Sequence, residues 1–112
     1  MTNESPVAEL TAQTAILKDL VAYQQGAVIS RNLLKEKTGF ATLFAFDQGE
    51  GLSEHSAPFD ALVYLIEGKA EITISGKPLQ VSAGQTVVMP ADEPHALQAL
   101  ERFKMLLVGI KP

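Results

Sequence analysis

The chain has 112 residues, 46% of them apolar, and a net charge of −4, so it is sized for one domain with one hydrophobic core. The acidic balance, with no Lys/Arg stripe, leaves nothing to attract a phosphate backbone and argues against a nucleic-acid partner. The lack of cysteine excludes disulfides, thiolate metal sites and cysteine nucleophiles.

The opening MTNESPVAEL is polar and acidic, with neither a basic region nor an apolar one of the secretory kind, and no apolar run is long enough to cross a bilayer. The expectation is a cytoplasmic protein without a membrane partner. Residues 1–7 read as a disordered tail and residues 8–112 as one domain. Leu10, Ile16, Leu17, Leu20 and Val21 form a patchy helical stripe, which predicts a short helix within residues 14–23, ended before Gly26.

From Ala27 onward the pattern is that of strands. AVISRNLLKEKTG reads as a strand with a turn near Gly39, and FATLFAFDQGEG alternates before breaking at Gly49 and Gly51. ALVYLIEG and KAEITIS follow, then a tight SGKP turn, LQVSAG, QTVVMP, HALQAL and FKMLLVGI. Short strands separated by Gly, Pro and Asp turns, without a βαβ rhythm, predict an all-β fold: a small antiparallel barrel or sandwich carrying a short N-terminal helix.

Period-two alternation assigns the faces. If His55 points into the barrel, so do Ala57, Ala61, Val63 and Leu65, while His95, Leu97 and Ala99 share one face of a later strand. Asp60, Gln98 and Tyr64 fall on the opposite parity. A ligand pocket bounded by His55, His95, Ala57, Ala61, Val63 and Leu97 is therefore expected, apolar except for its two imidazoles.

These residues resemble the two sequence motifs of small single-domain cupins, the jelly-roll proteins also called RmlC-like. In the first motif, Gly49, His55 and Gly68 stand at the right intervals, but Ala57 and Ala61 occupy the positions of a second histidine and a glutamate. In the second, Gly84, Pro90 and His95 match, with Asp92 in place of a glycine and Ala99 in place of an asparagine. The resemblance covers roughly residues 40–110. It implies a double-stranded β-helix and habitual dimers. Where the ligand set is full, it also implies three histidines and a glutamate around Fe, Mn, Ni or Zn.

Only His55 and His95 of that set are present, so the site chemistry has alternatives. The pair could hold a divalent metal weakly with water ligands, as in a metal-dependent oxygenase or isomerase. It could act as a metal-free acid/base pair, or hydrogen-bond a small polar, carboxylate or carbonyl ligand, each ring disfavouring charge on the other. Asp92 and Glu93, in the loop before His95, are the carboxylates best placed to reach inward. Ser53 and Ser56 lie in no nucleophile elbow. A homodimer is expected, because FKMLLVGI is apolar on both parities and AVISRNLL offers a second contact.

Overall fold

The computed structural model describes residues 2–4 and 10–112. Among the described residues ten strands form two sheets: β1 (Thr2–Glu4), β2 (Val28–Glu36), β3 (Gly39–Phe46), β4 (Gly51–His55), β5 (Asp60–Glu67), β6 (Lys69–Ile74), β7 (Lys77–Ser82), β8 (Thr86–Met89), β9 (His95–Ala99) and β10 (Phe103–Ile110). One sheet runs β1-β2-β3-β10-β5-β8 and the other β4-β9-β6-β7. Apart from the parallel β1–β2 pair, the pairings are antiparallel, and the architecture is a jelly roll. The expected helix is a single 3-10 turn, Leu17–Leu20. No helix among the described residues is long and apolar enough to cross a membrane.

The first residues depart from the reading of 1–7 as a disordered tail: Thr2–Glu4 pair in register with Ile29–Arg31. Polar sequence did not forbid this, because an edge strand offers backbone N–H and C=O groups that any extended segment can pair with. The rest of that tail lies outside the described residues.

Turns follow residue chemistry where geometry demands it. The β6–β7 hairpin closes through Ser75 and Gly76, both at positive φ, with Ile74 paired to Lys77. Between β5 and β6, Gly68 has φ +86° and lies so close to the Arg102 carbonyl and Phe103 that a Cβ would overlap them.

The barrel fills from both sheets. Val28, Phe44, Phe46, Val63, Leu65, Ile72, Leu97, Phe103 and Met105 belong to one buried cluster, with Phe46 and Phe103 stacked 4.4 Å apart. A second cluster, Val21, Ile29, Leu43 and Ala45, sits on the outer face of the larger sheet under Leu17, Leu20 and Tyr23. The N-terminal segment thus covers part of the second face of β10, including Leu106.

Candidate ligand site at the open end of the barrel

Chain connectivity gives the barrel two distinct ends. At one, β5 passes to β6 through Gly68, and Phe46, Leu65, Phe103 and Ala70 meet. At the other, β4 ends at His55 and the chain loops to Asp60, beside Gly39 and Ile110. His55 and His95 are cross-strand partners at this second end, and Ile74 pairs with His95 from the other side.

The two imidazoles face each other, ring centroids 4.4 Å apart, with Nε2 to Nε2 at 3.1 Å. Each Nδ1 turns to a backbone carbonyl: that of His55 to Ser53 at 2.7 Å, that of His95 to Glu93 at 3.3 Å. A carbonyl only accepts, so the short Ser53 contact fixes the His55 proton on Nδ1. Three contacts need three ring protons, and two neutral imidazoles carry only two. The neutral pair therefore has room for one further proton, and His95, with the longer carbonyl contact, is the ring free to switch tautomer. His95 is only 6% exposed, and this burial, with the neighbouring His55 second, pulls its pKa below the ordinary histidine value against a smaller opposing effect of the Glu93 carbonyl.

The alanines supply no donors to this pair. Ala57 lies half-buried in the loop, where its carbonyl accepts from the Asp92 N–H. Ala61, Val63 and Leu97 are packed into the core cluster, at 0–6% exposure. The acids expected to reach inward do not. Glu93 accepts from the Ser75 hydroxyl at 2.8 Å, and Asp92 is exposed at φ 67°. Asp60, on the outward parity, accepts from the Ala91 N–H at 2.8 Å and braces that loop. Tyr64 is exposed on the outer face.

His95 is not the only polar residue on the inner wall. A cavity of about 260 Å³ is lined by Ser30, Asn32, Lys35, Phe40, Thr42, Phe44 and Lys111. Sequence reasoning passed over it, although polar residues at alternate positions of inward-facing strands were its visible signal.

The chain matches a known family over most of the barrel. The family model for the cupin domain matches residues 42–109, more than half of the chain. The chain belongs to the cupin family.

A conserved protein of unknown function from Streptococcus pyogenes has a solved structure that is 44% identical to this cupin, covers 90% of this chain and 89% of its own, and superposes with a TM-score of 0.87. A cupin 2 conserved barrel domain protein from Leptotrichia buccalis is 40% identical with a TM-score of 0.82, over 84% of this chain and 46% of its own. A curated relative, the polyketide synthase CurC of Streptomyces cyaneus, is 34% identical over 59 residues, 52% of this chain but 38% of that protein's length.

Cupins with a full ligand set hold a metal, and the donors here do not fit one. Among the described residues no group of three or more His, Cys, Asp or Glu side chains is placed to hold an ion. Two imidazoles fall short of the three or four protein ligands of a firm site, and Ala57 and Ala61 supply none.

Proposed function

We propose that this cupin binds a small ligand bearing a carboxylate or carbonyl oxygen at the open end of its barrel, anchored by His55 and His95 without a resident metal. The observation that carries this reading is the 3.1 Å Nε2–Nε2 contact between rings whose Nδ1 atoms face carbonyls. In the neutral pair His55 presents only a lone pair at Nε2. A ligand anion needs an N–H there, so binding draws a proton onto the pair. Burial disfavours the charged form of His95 in the free protein, and the ligand's negative charge offsets that penalty. Binding is therefore expected to take up a proton and to tighten as pH falls below about 6.5, levelling off once the free pair is itself protonated.

Acetate is a sufficient probe. Calorimetry in two buffers of different ionisation enthalpy should show net proton uptake, and His55→Ala should abolish acetate-dependent shifts of the His95 ring. The reading fails if binding is independent of pH. It also fails if untagged protein carries stoichiometric Fe, Mn, Ni or Zn that survives chelation and is lost in His55→Ala.

The homodimer is proposed on a separate observation. Leu34, Ala41, Val108, Leu62 and Val88 are successive cross-strand partners through β2, β3, β10, β5 and β8. They form one apolar row across the outer face, with Leu34, Leu62 and Val88 exposed. Tyr64 and Ile110 are exposed on the same face. The patch is roughly 19 Å across the strands and roughly 14 Å along them by strand spacing and residue rise. That is a substantial part of the about 800 Å² each partner gives to a standard interface, and a second copy meeting it with the same row needs no charge burial.

A further inference from the structure

We propose that the cavity between the inner faces of β2 and β3 is an anion subsite, taking the carboxylate or phosphate of a small organic acid through Lys35 and Lys111. This rests on the reading of the barrel as a ligand-binding site and names the class of ligand.

The first support is the strand geometry. On β2, inward positions alternate from Val28 to Ser30 and Asn32, opposite Phe46, Phe44 and Thr42. Unbroken alternation would next turn Leu34 inward and Lys35 outward. The register instead slips between Asn32 and Leu34, so that Leu34 pairs with Ala41 on the outer face and Lys35 with Phe40 on the inner one. Leu34 is left 65% exposed while a lysine lines the cavity. Core packing alone favours the opposite placement.

The second is what the wall is made of. Ser30 and Thr42 are buried, at 3% and 6% exposure, on the inside of a barrel whose buried lining is otherwise apolar apart from His95. Thr42 donates to Asn32 Oδ1 at 2.8 Å, which fixes the amide so that its NH2 group is the end left to donate. Lys111 is anchored through its N–H to the Thr38 carbonyl, and its ammonium lies 5.8 Å from the centre of the Phe40 ring. Two ammonium groups and an amide NH2 beside Phe40 and Phe44 describe a site for an anion on an apolar body. At about 260 Å³ the cavity is small for a ligand pocket, which selects compact acids.

The third is position. Lys35, Phe40 and Lys111 lie at the β3 start and β10 end, the end of the barrel that holds His55 and His95. Phe40 packs edge-on against Phe59, 5.5 Å away in the loop leading from His55 to β5. Gly109 makes this possible, because a Cβ there would overlap the Phe40 ring. A ligand with an acid group at the lysines therefore extends toward the histidine pair.

Benzoate tests this in the full chain, read by backbone and imidazole resonances. Saturable shifts are expected at Asn32, Lys35 and Thr42, absent with neutral benzamide. Lys35→Gln and Lys111→Gln should each weaken them about 3- to 5-fold, as for one partly exposed charge pair. Both lysines are partly or fully exposed, so these variants should fold. Competition by inorganic phosphate would assign the site to phosphate-bearing ligands, and its absence would assign it to carboxylates; either outcome upholds an anion subsite. Equal response to benzamide, or unchanged affinity in the double lysine variant, overturns it. Shifts confined to the His55 and His95 rings also overturn it while leaving the ligand-binding reading standing, and silent rings with shifts in the lysine cavity do the reverse.

Discussion

The two ends of the same strands are built on opposite plans. At the closed end both faces of the larger sheet are packed: Phe46, Phe103 and Leu65 fill the barrel, and Ile29, Leu43 and Ala45 lie under the N-terminal segment. At the open end the inner wall turns polar with His95, Thr42 and Asn32, and the outer wall turns apolar and exposed with Leu34, Leu62 and Val88. Strands spanning the barrel let one end supply stability while the other carries groups that a packed core would not keep.

Three outcomes sharpen or break that contrast. The largest belongs to the closed end. Phe46→Ala removes a fully buried ring stacked on Phe103 and should cost about 3–5 kcal/mol in chemical denaturation. A cost under about 1 kcal/mol would mean that this end does not hold the fold. Next comes the outer face of the open end. Leu62→Lys should shift sedimentation from dimer to monomer while changing the monomer's own stability by about 0.5 kcal/mol or less. A wild-type monomer at all concentrations would refute the dimer. The smallest is at the imidazole pair. His95 has a lowered folded pKa, so the folded state binds fewer protons than the unfolded one below about pH 6.5. Stability should be undiminished above that pH, decline as pH falls toward the folded value, and flatten beneath it. His95→Asn should show a shallower decline in thermal scans from pH 7 to 5.

A few polar contacts stitch the closed end without bearing on ligand chemistry. Tyr23 donates to Glu67 at 2.7 Å under the Arg102 guanidinium, and burial, then that acceptor, pushes its pKa up. Asp47 accepts from the Gly26 N–H at 2.8 Å and pairs with Arg102 at 3.1 Å. The Gly26 bond is the main reason its carboxyl titrates below the usual range.

Much of this was legible in the chain itself. Alternation in ALVYLIEG and HALQAL assigned Ala61, Val63, Leu65, Leu97 and Ala99 inward and Asp60 and Tyr64 outward, as the structure has them. The strand Gly51–His55 was less visible, since only Leu52 in it is apolar and its side chains are largely exposed. The pairing of Thr2–Glu4 was invisible, because backbone hydrogen bonds to an open edge leave no mark on side-chain pattern.

What the sequence determined by itself is an antiparallel barrel or sandwich, which the resemblance to cupins narrowed to a jelly roll, and the shortage of metal donors, because alternation, turn residues and residue identity are local properties. Tertiary structure decided the rest. Whether Glu93 turns inward, which face Lys35 takes after the slip in β2, and how close His55 Nε2 comes to His95 Nε2 depend on register between strands far apart in the chain. One residue of slip reverses a face, and no local pattern records it.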